Sequence, residues 1–70
     1  MKENEFGLNI KVKGLGIFKA RFPKSLHAVK SLAGSTFHLP KVESVVVYDH
    51  KGTARLYLKK TEHGVYKEER

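Results

Sequence analysis

Residues 6–22, FGLNIKVKGLGIFKARF, alternate apolar and polar side chains in two runs joined by Gly14-Leu15-Gly16. Side chains along a strand point to opposite faces with a period of two, so this pattern confines the segment to a half-buried β-hairpin. Phe6, Leu8, Ile10 and Val12 share one face of the first run, and Phe18, Ala20 and Phe22 one face of the second. The glycines supply permissive backbone for the turn. Pairing the runs gathers Lys11, Lys13, Lys19 and Arg21 on the other side, with Ile17 as an apolar intruder. Like charges that close are mildly destabilising. The hairpin therefore raises the question of which anion its wet side meets.

The charge distribution sharpens that question. The chain carries a formal charge of +7, and all seven acids (Glu3, Glu5, Glu43, Asp49, Glu62, Glu68 and Glu69) lie outside residues 6–42. Inside that window stand seven bases: Lys11, Lys13, Lys19, Arg21, Lys24, Lys30 and Lys41. The rest of the chain balances seven bases against seven acids. Lysines on a wet face serve solubility, but solubility requires no such segregation. A basic stretch empty of acids fits a surface that attracts phosphates and releases their counterions.

Pro23 ends the second strand, because it has no N–H to give to a ladder. Residues 24–33 predict a short helix, with Leu26, Val29, Leu32 and Ala33 at helical spacing, Ser25 placed as its cap and Gly34 to terminate it. Lys24, His27 and Lys30 recur on its outward face. Residues 35–41 read as a connection from which Phe37 and Leu39 reach the core.

Residues 42–49 are rich in β-branched side chains and predict a strand. DHKG at 49–52 has the form of a type I turn with Gly52 in the left-handed position. That turn predicts Tyr48 opposite Ala54, Val46 opposite Leu56 and Ser44 opposite Leu58 on one face. Val47 with Arg55, Val45 with Tyr57 and Glu43 with Lys59 then fall on the other. TEHG at 61–64 predicts a second tight turn, followed by a short charged edge strand over 65–68.

These elements define a small single-domain α+β protein over residues 1–70: one antiparallel sheet of four to five strands with one short helix, in the order ββαββ(β). The alternative is an SH3-like bent barrel with an inserted helix. Residues 1–5 and 69–70 are expected to be frayed tails. The first residues carry acids and no apolar run, no apolar segment is long enough to cross a bilayer, and there are no cysteines, so a cytoplasmic location is expected.

No residue pattern supplies catalytic chemistry. Ser25, Ser31, Ser35 and Ser44 lack a nucleophile-elbow context, and no cysteine is present. His27, His38, His50 and His63 show no metal-ligand spacing. Gly14-Leu15-Gly16 lacks the third glycine of a dinucleotide fingerprint and opens no helix. No enzyme, cofactor or metal is expected.

The expected function is that of a small basic nucleic-acid-binding protein, for DNA or RNA, holding the phosphate backbone largely without sequence specificity. Its surface would comprise Lys11, Lys13, Lys19, Arg21, Lys24 and Lys30, extended by Arg55 and by Tyr57 stacked on an unpaired base. The alternative is a non-enzymatic protein-interaction module, an adaptor, inhibitor or assembly component. It would bind a protein partner or self-associate through an exposed sheet face bearing Ile17, Val45, Val47 and Tyr57.

Overall fold

The computed structural model describes residues 4–70, so the expected fraying of residues 1–5 falls mostly outside the described residues. The alternating runs form β1 (Phe6–Val12) and β2 (Gly16–Phe22), followed by α1 (Leu26–Phe37), β3 (Val42–Tyr48), β4 (Ala54–Thr61) and β5 (Gly64–Glu69). All five strands pair antiparallel in one sheet, in the order β2-β1-β3-β4-β5. The sheet is open, with β2 and β5 at its edges, so the barrel alternative does not form.

The first hairpin pairs from Phe6↔Phe22 to Val12↔Gly16, which puts Lys11, Lys19 and Arg21 on one side as expected and leaves Lys13 in the turn. Gly14 and Gly16 both adopt positive φ, +80° and +92°, in the turn that the sequence assigns them. Ser25 caps α1 by accepting a bond from the Ala28 N–H at 3.2 Å. The helix then runs past its expected end, through Gly34 to Phe37. Val29, Ala33 and Phe37 repeat every four residues and are all buried. Burying Phe37 is worth roughly 1.5–3 kcal/mol, more than the roughly 1 kcal/mol that a mid-helix glycine costs. His38 caps the far end and Pro40 lies two residues beyond it, where prolines commonly follow a helix. Leu39, expected in the core, is 56% exposed.

The second hairpin departs from its predicted register after one pair. Tyr48 faces Ala54 as expected, but a β-bulge follows, and the ladder continues as Val47↔Leu56, Val46↔Tyr57, Val45↔Leu58 and Ser44↔Lys59. A one-residue slip exchanges the two faces of a strand. The predicted register separates Val45 and Val47 from Leu56 and Leu58, whereas the bulge puts all four on the helix side. Val45 and Val47 are fully buried, not on an outer face. Glu43 accordingly does not meet Lys59 but reaches Lys11 at 3.8 Å.

The core comprises Leu8, Val29, Ala33, Phe37, Val42, Val45, Val47 and Leu56. It lies under α1, which packs mainly on β3 and less on β1. A helix roughly 10–12 Å across spans little more than two strands spaced about 4.8 Å apart. Phe18, on the helix side of β2, therefore remains 51% exposed. Residues 69–70, expected to fray, are tied down: Glu69 pairs with Leu56, and the Arg70 N–H donates to the Arg55 carbonyl at 2.9 Å.

Candidate nucleic-acid interface

Cross-strand partners share a face, so the registers fix what the side opposite α1 presents. One row runs Arg21, Gly7, Tyr48, Ala54 from β2 to β4. The next runs Lys19, Asn9, Val46, Tyr57, Glu68, and the third Ile17, Lys11, Ser44, Lys59, Tyr66. Among the described residues the one helix lies on the other side, so no described element covers these rows. All three tyrosines of the chain stand on this face.

Gly7 and Tyr48 are interlocked. A Cβ at Gly7 would collide with Cζ, Cε2 and Oη of Tyr48, so the ring lies across β1 where the glycine leaves space. A glycine inside a strand often marks such a close approach. At the far corner Tyr57 and Tyr66 meet edge to face, with ring centroids 5.8 Å apart. Ser44, Val46, Ala54, Tyr57, Glu68 and Arg70 line a depression of about 450 Å³ beside them. At the centre, the Oδ1 atom of Asn9 is buried with no hydrogen-bond partner among the described residues.

The face is predominantly basic. Lys19 and Arg21 are exposed and make no ion pair among the described residues. Lys11 is 3.8 Å from Glu43, with both side chains well exposed, a separation at which a surface pair contributes little. Glu68 is the one acid in the rows, and its carboxylate is already engaged. It accepts from the Tyr66 hydroxyl and from Arg70 Nη2, each at 3.0 Å. The Tyr66 bond and then Arg70 hold the Glu68 carboxyl below its ordinary range. The same bond, with the charge of Glu68, pushes the Tyr66 phenol up.

Four of the eight predicted site residues come together here: Lys11, Lys19, Arg21 and Tyr57. Lys13 lies in the first turn, its N–H bonded to the Lys41 carbonyl at 2.8 Å, and Lys24 in the bend before α1. Both are exposed but stand outside the rows. Lys30 does not join the surface. It belongs to the helix side, where its Nζ donates to Glu69 Oε2 at 2.8 Å across a groove lined by His27, Ser31, Leu58 and Lys67. That bond, followed by the charge of Lys30, holds the Glu69 carboxyl below its ordinary range. Arg55 sits at the bulge and is occupied there. Its Nε donates to the Arg70 carbonyl at 3.1 Å and its Nη1 is 3.8 Å from Asp49.

The charge segregation in the sequence is thus partly undone in space, because Glu43 and Glu69 return to Lys11 and Lys30. Tyr48, Tyr66, Lys59, Gly7 and Asn9 join the face without having been singled out from the sequence. Placing the β-branched Val45 and Val47 inward would have turned Tyr48 outward. Gly7, interrupting a strand pattern, was a further signal.

Among the described residues no three His, Asp or Glu side chains gather as a metal site, and no helix is long and apolar enough to cross a membrane. Comparison with protein-family models, with curated proteins and with solved structures gives no match.

Proposed function

We propose that this protein binds nucleic acid through the open face of its sheet, gripping the phosphate backbone largely without sequence preference and without enzymatic activity. One observation carries the reading: Arg21, Lys19, Lys11 and Lys59 share an uncovered face with three tyrosines, and the one acid in its rows is already bonded. Basic side chains attract phosphates and release counterions, while tyrosine rings offer stacking surface. Lys30 takes no part, so the surface is narrower than the hairpin and helix together. Titration with DNA and RNA at low and moderate salt tests the reading. Binding should weaken steeply as salt rises, and absence of binding at low salt contradicts it.

A second reading, a protein-interaction module that binds a protein partner or self-associates, is favoured by edge strand β2. There Ile17 is 60% and Phe18 51% exposed, beside a strand edge that no strand among the described residues pairs. Val45 and Val47 give it no help, being buried. Sedimentation across a concentration series tests for self-association: a single monomeric species throughout excludes it.

A further inference from the structure

The tyrosines and the cations of the open face are not mixed at random. Tyr48 on β3, Tyr57 one row on in β4 and Tyr66 one row further in β5 form a diagonal. Diagonal neighbours on a sheet face lie roughly 7–8 Å apart. Arg21 and Lys19 on β2, with Lys11 on β1, flank that diagonal on one side; Lys59 borders it opposite Tyr66, and Arg70 lies beside Tyr57, bonded to Glu68. Tyr48 is laid over Gly7 along the sheet instead of standing off it.

A lane of aromatic rings beside a lane of cations matches a single strand, whose bases and phosphates project to different sides. A duplex keeps its base faces stacked inside and presents phosphates outward, so it gives the tyrosines nothing to stack on. Resting on the nucleic-acid reading above, we infer that the face selects unpaired strands, of DNA or RNA. The bases lie along Tyr48, Tyr57 and Tyr66, and the phosphates along Arg21, Lys19 and Lys11.

Fluorescence anisotropy of the full chain with a labelled strand of about 12 nucleotides, as DNA and as RNA, and with the matching DNA duplex, tests this at about 50 and 200 mM salt. Both single strands should bind about 10-fold or more tighter than the duplex. Tyr48→Leu should weaken single-strand binding about 10-fold, as expected for one lost stacking contact, and change duplex binding less than about twofold. Tyr48→Phe, which keeps the ring, should retain the preference. On the unaltered chain, the Tyr48 ring resonances should move upfield with the single strand and not with the duplex, which keeps the test valid should Tyr48→Leu fail to fold. Equal affinity for duplex and single strands overturns the inference and leaves the nucleic-acid reading standing. Absence of salt-dependent binding to all three overturns both.

Discussion

The two faces of the sheet are made by the same strands and treat polar groups in opposite ways. Under α1, adjoining strands present Leu8, Val45, Val47 and Leu56, each at most 5% exposed, and none of the described polar residues is buried there. On the open face the same strands present Asn9, Val46, Tyr48 and Tyr57, all half-buried without a covering element. The covered face is where the fold acquires its stability. The open face holds more aromatic and basic surface than solvation requires, and among the described residues its Lys19, Arg21 and Lys59 make no ion pair. Neighbouring residues in one strand, Val46 and Val47, thus face different surroundings: one the open face and one the core.

That division breaks most visibly at Val47. Val47→Asp places a carboxylate in the core without a partner, which costs several kcal/mol, comparable to the whole stability of a domain this small. Loss of the thermal transition by circular dichroism is expected, whereas Val46→Thr should cost under about 1 kcal/mol because its site is only half-buried. A transition retained in Val47→Asp would mean that the faces are wrongly assigned.

Next in size is the double variant Lys19→Glu with Arg21→Glu. It should weaken oligonucleotide binding roughly 10- to 100-fold at low salt, since two phosphate contacts are replaced by repulsion. The melting temperature should hardly move, because both side chains are exposed and unpaired among the described residues. Unchanged affinity would remove these two residues from the interface.

Gly7→Ala links the faces through the backbone. The added methyl meets the Tyr48 ring, so overpacking should cost about 1–3 kcal/mol and binding should fall with it. Equal stability of variant and parent in urea titration would show that Tyr48 moves aside freely.

The smallest effect is expected at Lys30, on the helix side. Lys30→Gln should leave binding within about twofold, the loss of at most one long-range charge. Its stability difference from the parent should be pH-dependent. The Glu69 carboxyl is lowered by the Lys30 bond from an ordinary value of 4.5. The bond therefore contributes above pH 4.5 and is lost as pH falls through the lower folded value. Melts at pH 7 and in strong acid should show the difference and then its disappearance.

Much of this was legible from the sequence, and the exceptions share a cause. The division of β1 and β2 side chains between the two faces, the Ser25 cap and the left-handed Gly52 follow from local rules of alternation, capping and turn geometry. The bulge after Tyr48 does not, because the turn alone is satisfied by either register. Only the helix on the other side distinguishes them, by requiring Val45, Val47, Leu56 and Leu58 together. Helix length has the same origin: Gly34 is a local stop signal, overridden by the burial of Phe37 one turn after Ala33. At the candidate site, Lys11, Lys19 and Arg21 could be grouped from the hairpin alone. The tyrosine diagonal could not, since it depends on the bulged register. Lys30 and Arg55 were drawn away by Glu69, Asp49 and Arg70, partners distant in sequence.

The most direct test is an amide NMR titration of the full chain with a short single strand at two salt concentrations. Salt-sensitive shifts should concentrate at Lys11, Lys19, Arg21, Tyr48 and Tyr57, with His27, Lys30 and Ser31 on the helix side still. Shifts centred on α1 instead, or none at low salt, would contradict the assignment of binding to the open face.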